Sequence, residues 1–274
     1  MRNRLRDADV ESSELDARLL MQYVLGMSRE ELFLNSSEMV AESKVLLLNS
    51  CLERRLRREP VSRILGARSF WKSDFKISAE TLDPRADSET LIEAALRIVP
   101  TVAKMHVLDL GTGSGCLLLS LLQEWPKARG VGVDISKGAV EIAAENADSL
   151  GLGDRSEFIT ADWNDLEFLE KFDVIVTNPP YIAEYEMTSL EPEVALYDPT
   201  LALIGGADGL DCYRSLANNL PHFLKAKGYV FLEIGHTQAA AVKDILEQTG
   251  FIVLEVILDL AKNDRCLVAK IKAV

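Results

Sequence analysis

The four residues Asn178-Pro179-Pro180-Tyr181 carry the clearest chemical content of the chain. Two consecutive prolines fix φ and remove two backbone donors, so the carbonyls around them stay available as acceptors. Asn178, directly before them, is pushed out of the helical region and can aim its carboxamide outward. A stiff cluster of acceptors beside an aromatic ring suits a planar –NH2 group: it can hold both hydrogens and leave the nitrogen face open. The preceding run Phe172-Asp173-Val174-Ile175-Val176-Thr177 reads as a buried strand that empties into this loop. Taken alone, the four residues would equally suit an ordinary proline-bounded loop.

A second constellation lies upstream. His106-Val107-Leu108-Asp109-Leu110 reads as a buried strand, Gly111-Thr112-Gly113-Ser114-Gly115 as a tight turn, and Cys116 through Leu122 as the start of a helix. Glycines at a strand-to-helix turn let a ligand approach the backbone with no Cβ in the way. The dinucleotide fingerprint would place its third glycine at Cys116; the G-x-G-x-G spacing is that of S-adenosylmethionine (AdoMet) enzymes. A further strand ends in Asp134, where a carboxylate can accept both hydroxyls of a ribose; Asp134 could also belong to the cap of a helix beginning near Lys137. The strand 156–161 runs into Asp162-Trp163, which could flank an adenine ring, or cover an apolar edge. Gly111, Thr112, Gly113, Ser114, Gly115, Asp134, Trp163 and Asn178 are thus the candidate cofactor-binding residues, and four strand ends meet at one edge of a parallel sheet, where α/β folds bind ligands.

On these motifs the chain resembles the HemK/PrmC-type protein-(glutamine-N5) methyltransferases. The resemblance takes in Asp109 to Gly115 and Asn178 to Tyr181, and extends to Leu15-Asp16-Ala17-Arg18-Leu19-Leu20, Pro60 to Gly66 and Pro84-Arg85-Ala86-Asp87-Ser88-Glu89. It continues through Gly205 to Asp211, Leu232-Glu233-Ile234-Gly235 and Asn263-Asp264-Arg265. It implies a class I AdoMet-dependent methyltransferase: an α/β, Rossmann-like, seven-stranded sheet with an antiparallel final hairpin, joined to a small N-terminal helical domain. It implies methyl transfer from AdoMet, leaving S-adenosylhomocysteine, to the glutamine of the Gly-Gly-Gln loop of class I peptide chain release factors. Asn178, Pro179 and Tyr181 are then the catalytic candidates, and Asn178 through Tyr181 the substrate-binding set. Two departures concern substrate contact: Asp198-Pro199 where the family has Glu-Pro, and Ser88 where it has threonine.

Length and composition bound the rest. The 274 residues suffice for a helical domain over 1–67, a linking β-hairpin over 68–83 and a catalytic domain over 84–274. Leu15, Leu19 and Tyr23 recur at helical spacing before Gly26, and Ser28-Arg29-Glu30-Glu31 is a capping-box pattern. Residues 1–68 hold 12 Lys/Arg against 11 Asp/Glu and the remainder 18 against 32, so the catalytic part is acidic. Such a surface argues against duplex DNA as substrate. The basic run Arg54-Arg55-Leu56-Arg57-Arg58 reads as a solvated helix face or a docking patch. Cys51, Cys116, Cys212 and Cys266 are unpaired in spacing and the three histidines dispersed, so no metal is expected. No apolar run spans a bilayer and the start is polar. A cytoplasmic monomer without a membrane partner is expected, with the helical domain gripping the body of the release factor. Three other readings remain: methylation of an exocyclic base amine or another protein's glutamine, a silent AdoMet-binding module, and a nicotinamide dehydrogenase.

Overall fold

The computed structural model describes residues 1–100 and 104–272. Contacts divide the chain into two compact units, residues 1–67 with 191–197, and residues 68–190 with 198–274. In chain order the helices are α1 (Arg2–Asp7), α2 (Ser13–Leu25), α3 (Arg29–Leu34), α4 (Glu42–Leu56), α5 (Val61–Leu65), α6 (Glu89–Ile98), α7 (Cys116–Glu124), α8 (Lys137–Ser149), α9 (Pro192–Ala195), α10 (Asp211–Phe223) and α11 (Ala239–Gln248). The strands are β1 (Ala67–Phe70), β2 (Ser73–Lys76), β3 (His106–Leu110), β4 (Arg129–Asp134), β5 (Ser156–Thr160), β6 (Phe172–Thr177), β7 (Leu224–Glu233), β8 (Phe251–Leu258) and β9 (Asp264–Ile271).

The first unit is all helical. Gly26 takes a left-handed conformation at the end of α2, the role glycine fills at helix C-termini. Ser28 and Glu31 form a reciprocal cap: Ser28 Oγ accepts from the Glu31 N–H at 3.1 Å, and Glu31 Oε2 from the Ser28 N–H at 2.7 Å. The stretch with Leu15, Leu19 and Tyr23 at helical spacing is α2, and its buried face is borne by other residues. Leu15 and Tyr23 are exposed, while Ala17, Leu20 and Val24 pack against Leu5, Val10, Cys51, Leu52 and Ile64.

The arginine run is only partly a solvated face: Arg57 is exposed, whereas its neighbours are engaged within the unit. Arg55 is buried, with Nε donating to Asp16 Oδ2 at 2.7 Å and Nη1 to Glu193 Oε1 at 2.9 Å. Arg58 reaches the same Glu193 carboxylate at 2.9 Å, and Arg54 pairs with Glu59 at 2.5 Å. The Tyr197 hydroxyl donates to the Arg57 carbonyl at 2.8 Å. Arg55 and Arg58, through Glu193, and the Arg57 carbonyl, through Tyr197, thus hold segment 191–197 to α4.

The second unit carries a two-stranded sheet, β1 with β2, and a seven-stranded sheet of order β5-β4-β3-β6-β7-β9-β8. Strands β3 to β7 pair in parallel, and β9 runs antiparallel to both β7 and β8. Successive side chains alternate between two apolar layers, as a pleated strand requires. Val107, Val174 and Val176 enter the layer made with α6 and α7, whereas Leu108 and Ile175 enter the layer made with α10 and α11. Strand order reverses between β3 and β6, the place where a parallel sheet leaves a crevice at the carboxyl ends of its strands.

Candidate active site

The turn after β3 is built by its glycines. Gly111, Gly113 and Gly115 all have positive φ, at 74°, 55° and 79°, a region L side chains rarely enter. Gly115 also lies where an added Cβ would stand 3.2 Å from Ala143 and Leu119. The Gly111 and Thr112 N–H groups both donate to the Val133 carbonyl at 2.9 Å, which locks the turn to β4. From below, Thr112 Oγ1 donates to Asp109 Oδ2 at 2.8 Å. Asp109 is fully buried, and burial pushes its carboxyl up to about 7 against the hydrogen bonds from Thr112 and the Leu118 N–H.

Asp134 closes the turn from the neighbouring strand. Its Oδ2 accepts the Gly113 N–H at 2.8 Å and its Oδ1 the Ser136 N–H at 2.9 Å. The helix cap is Ser136, whose hydroxyl accepts from Ala139 N–H at 3.2 Å, so Asp134 itself is not the cap of α8. Each Asp134 oxygen keeps a lone pair for a ligand hydroxyl. Burial raises the Asp134 carboxyl, opposed by the Ser136 and Gly113 N–H groups.

Trp163 sits over the glycine turn, its ring 3.8 Å from the position of a Gly111 Cβ, and is oriented by an Nε1–H bond to Ser215 Oγ at 2.9 Å. Asp162 caps the following turn through Asn164 at 2.8 Å. Gly111 through Ser114, Asp134, Asp162, Trp163, Asn178 and Pro180 line one cleft of about 420 Å³, within the range of small-ligand sites. Gly115, Pro179 and Tyr181 are not among the residues that line it, although Tyr181 is only half-buried.

The Asn178–Tyr181 loop is braced on every side. Thr177 Oγ1 donates to the Leu110 carbonyl at 2.7 Å, tying the end of β6 to that of β3. Asn178 Nδ2 donates to Ser88 Oγ at 3.3 Å, and the Tyr181 hydroxyl donates to Glu233 Oε1 at 3.4 Å. Burial and the nearby Glu233 carboxyl raise the Tyr181 phenol, which stays protonated. Segment 205–209 presses against this backbone. A Cβ at Gly205 would stand 2.7 Å from the Pro180 carbonyl, and one at Gly209 2.4 Å from the Tyr181 carbonyl. Gln238 Nε2 donates to the carbonyls of Tyr181 and Gly209 at 2.9 and 3.2 Å.

Several contributors lie outside the candidate residues read from the sequence. Asn146 joins the Ser114 carbonyl at 2.9 Å to the backbone of Lys76 at 2.8 and 3.0 Å. Asp198, the variant position, is buried; its Oδ2 accepts from Arg85 Nη2 at 2.5 Å and its Oδ1 from the Asp83 N–H at 3.3 Å. Arg85, Ser88, Ser136, Leu201 and Asp211 line the cleft too. So do Cys116 and Cys212, whose thiols burial pushes up to about 12 and about 11. Neither is a thiolate near neutral pH, so neither supplies a nucleophile.

Comparison with known proteins places this geometry. The PrmC N-terminal domain family matches residues 1–66, and a methyltransferase domain family matches residues 101–249. A release factor glutamine methyltransferase of Rhodospirillum rubrum is 47% identical over 270 residues, covering 98% of this chain and 82% of its own. The chain belongs to the release factor glutamine methyltransferase family. A member from Caulobacter vibrioides is 38% identical over 264 residues, covering 96% of this chain and 91% of the relative. The ribosomal protein L11 methylase of Lactobacillus delbrueckii subsp. bulgaricus superposes with a TM-score of 0.51 at 21% identity, over 68% of this chain and 79% of that one. The last likeness concerns the fold alone, an α/β fold on a mostly parallel sheet, here of seven strands.

Proposed function

We propose that the protein transfers a methyl group from AdoMet to the side-chain nitrogen of the glutamine in the Gly-Gly-Gln loop of class I release factors. The observation that carries this reading is the opening of Asn178 and Pro180 into the same cleft as the three-glycine turn, Asp134 and Trp163. The residues present fit AdoMet. The positive-φ turn brings backbone close, the Asp134 carboxylate has acceptor capacity for a ribose diol, and Trp163 gives a flat apolar face for adenine. When bound, AdoMet supplies an electrophilic methyl on a sulfonium sulfur.

The chain's own part is to make a poor nucleophile react. A carboxamide nitrogen shares its lone pair with its carbonyl, so orientation matters more than basicity. Asn178 Oδ1 and the Pro179 carbonyl accept the two N–H hydrogens and turn the nitrogen face toward the methyl donor. Positioning of this kind lowers barriers by ~7–11 kcal/mol in well-oriented systems. As positive charge develops on nitrogen, the same acceptors stabilise it, and no strong base is needed for the later proton loss. Pro180 stiffens the loop. Tyr181, pinned by its hydroxyl, offers the rest of its ring to the glutamine chain.

The test is methyl transfer from labelled AdoMet to a purified class I release factor, beside a version with the loop glutamine changed to alanine and beside duplex DNA. Label on the intact factor alone supports the reading. Label on DNA, or on the alanine version, overturns it.

Asp134→Ala is expected to weaken AdoMet binding by about 10- to 100-fold, the scale of lost hydrogen bonds to a charged group; isothermal titration with unchanged affinity would remove Asp134 from the ribose. Residues 1–67 act as a substrate-recognition domain, 68–83 as a link and 84–274 as the methyltransferase domain. Deletion of residues 1–66 is then expected to depress release-factor methylation far more than AdoMet binding, and equal losses would make that domain structural. The enzyme works as a cytoplasmic monomer, with no nucleic-acid substrate, no membrane partner and no metal. Among the described residues no helix is long and apolar enough to cross a membrane.

A further inference from the structure

Behind the Asn178–Tyr181 loop lies a carboxyl group that the mechanism above leaves unused. Glu233, at the end of β7, is 1% exposed. Its Oε1 accepts from the Tyr181 hydroxyl, whereas Oε2 is enclosed with no partner at full hydrogen-bond geometry among the described residues. The charged and titratable groups facing it are Asp87 before α6, Cys116 on α7, Tyr181, Tyr213 on α10, and Arg265 and Cys266 on β9. Arg265 is the one cation in this set, and its guanidinium is engaged elsewhere. It donates to Asp259 Oδ2 at 3.1 and 3.2 Å and to the Ile234 carbonyl at 3.3 Å. Of the groups that favour the ionised carboxyl against its burial, the Ser88 hydroxyl is foremost.

Counting donors and acceptors fixes a direction through three side chains. Asn178 Nδ2 can only donate, so at 3.3 Å Ser88 Oγ accepts from it. The hydroxyl hydrogen of Ser88 is then left for another acceptor, and Ser88 is the group whose hydrogen bond most favours an ionised Glu233. With Nδ2 committed to Ser88, the Asn178 oxygen is the end left for a substrate amide. We propose that Glu233 is a positioning residue for methyl transfer: through the Ser88 hydroxyl it holds the Asn178 carboxamide with its oxygen, not its NH2, toward the glutamine nitrogen. This rests on the methyl-transfer reading above. Protonation of Glu233 reverses the relay. A carboxylic acid can donate to Ser88 Oγ, freeing Ser88 to donate to Asn178 Oδ1, and the flipped amide then meets the substrate NH2 with an NH2 of its own. Burial pushes the Glu233 carboxyl up to about 7, so both states are accessible near neutrality.

The experiment is the pH dependence of kcat on a class I release factor, for the full-length protein and its Glu233→Gln, Ser88→Ala, Ser88→Thr and Glu233→Gln/Ser88→Ala variants. The wild-type protein is expected to lose turnover by about tenfold from about pH 8 to about pH 6 as the carboxylate is protonated. Glu233→Gln and Ser88→Ala both flatten that limb, with the KM for AdoMet within about twofold of wild type, and the double variant is no worse than Ser88→Ala alone. Ser88→Thr, which keeps the hydroxyl, restores the limb. A limb that survives in either single variant, or is missing from the wild type, overturns the proposal, as do losses that multiply in the double variant. Ser88→Ala keeps the test decisive should Glu233→Gln fail to fold. A wild-type protein that labels no release factor at any pH fails the functional reading itself. Labelling with a surviving limb fails the relay alone.

Discussion

Asn178→Ala is expected to cut kcat on the release factor by about 30- to 10³-fold, roughly 2–4 kcal/mol of transition-state stabilisation, the scale of one preorganised hydrogen-bonding group at developing charge. The reasoning is geometric. Asn178 leaves β6 at the strand end tied to β3 by Thr177, and its amide is already oriented by Ser88 before any substrate arrives. Alanine removes the acceptor without disturbing the two prolines that set the loop. Melting temperature is therefore expected to stay near wild type, and AdoMet affinity to change by a few-fold at most. Steady-state kinetics with the intact factor, read beside calorimetric AdoMet binding, separate the effects. Turnover near wild type in a folded Asn178→Ala protein would take Asn178 out of catalysis.

The second large effect concerns stability. Arg55→Ala is expected to cost about 3–5 kcal/mol, the range for removing one partner of a buried ion pair. Asp16 and Glu193 would be left with side chains only 7% and 16% exposed and without Arg55 between them. Most of the loss comes from stranding the Asp16 carboxylate in a low-dielectric interior, since Glu193 keeps Arg58, and not from a favourable pair energy. A triple replacement, Asp16→Leu, Arg55→Met and Glu193→Leu, is accordingly expected to come within about 1–2 kcal/mol of wild type or above it. Urea unfolding followed by far-ultraviolet circular dichroism reads both. An Arg55→Ala loss under about 1 kcal/mol would show the cluster to be screened as a surface pair is.

That cluster also shows where sequence reading stops. Four arginines in five residues suggest a surface, because charge is normally solvated. Their true partners, Asp16 and Glu193, lie 39 and 138 residues from Arg55, beyond any local pattern. Leu15, Leu19 and Tyr23 do mark a helix that ends at Gly26, yet their spacing leaves open which face is buried. The packed face is instead the one bearing Ala17, Leu20 and Val24. By contrast, the glycine turn and the Asn-Pro-Pro-Tyr loop were legible because backbone constraint decides them. Three positive-φ positions require glycine, and two prolines stiffen a strand end whatever surrounds them. Glu233 was visible only as one polar letter in an apolar strand. What it does depends on Ser88 and Tyr181, which reach it from distant parts of the chain.

The strand order has a bearing on how the molecule is made. β8 borders the sheet only through β9, although β9 follows it in the sequence. While the sheet folds, β8 has no place in it until residues 264–271 lie between it and β7. In that interval the outer edge of β7 is bare, and Ile252, Leu254 and Leu258 have no strand beside them. Unpaired edges of this kind recruit foreign strands. The same late insertion delivers Arg265 and Cys266 to the neighbourhood of Glu233. The catalytic loop therefore acquires its full backing only after the sheet has been closed from its far side.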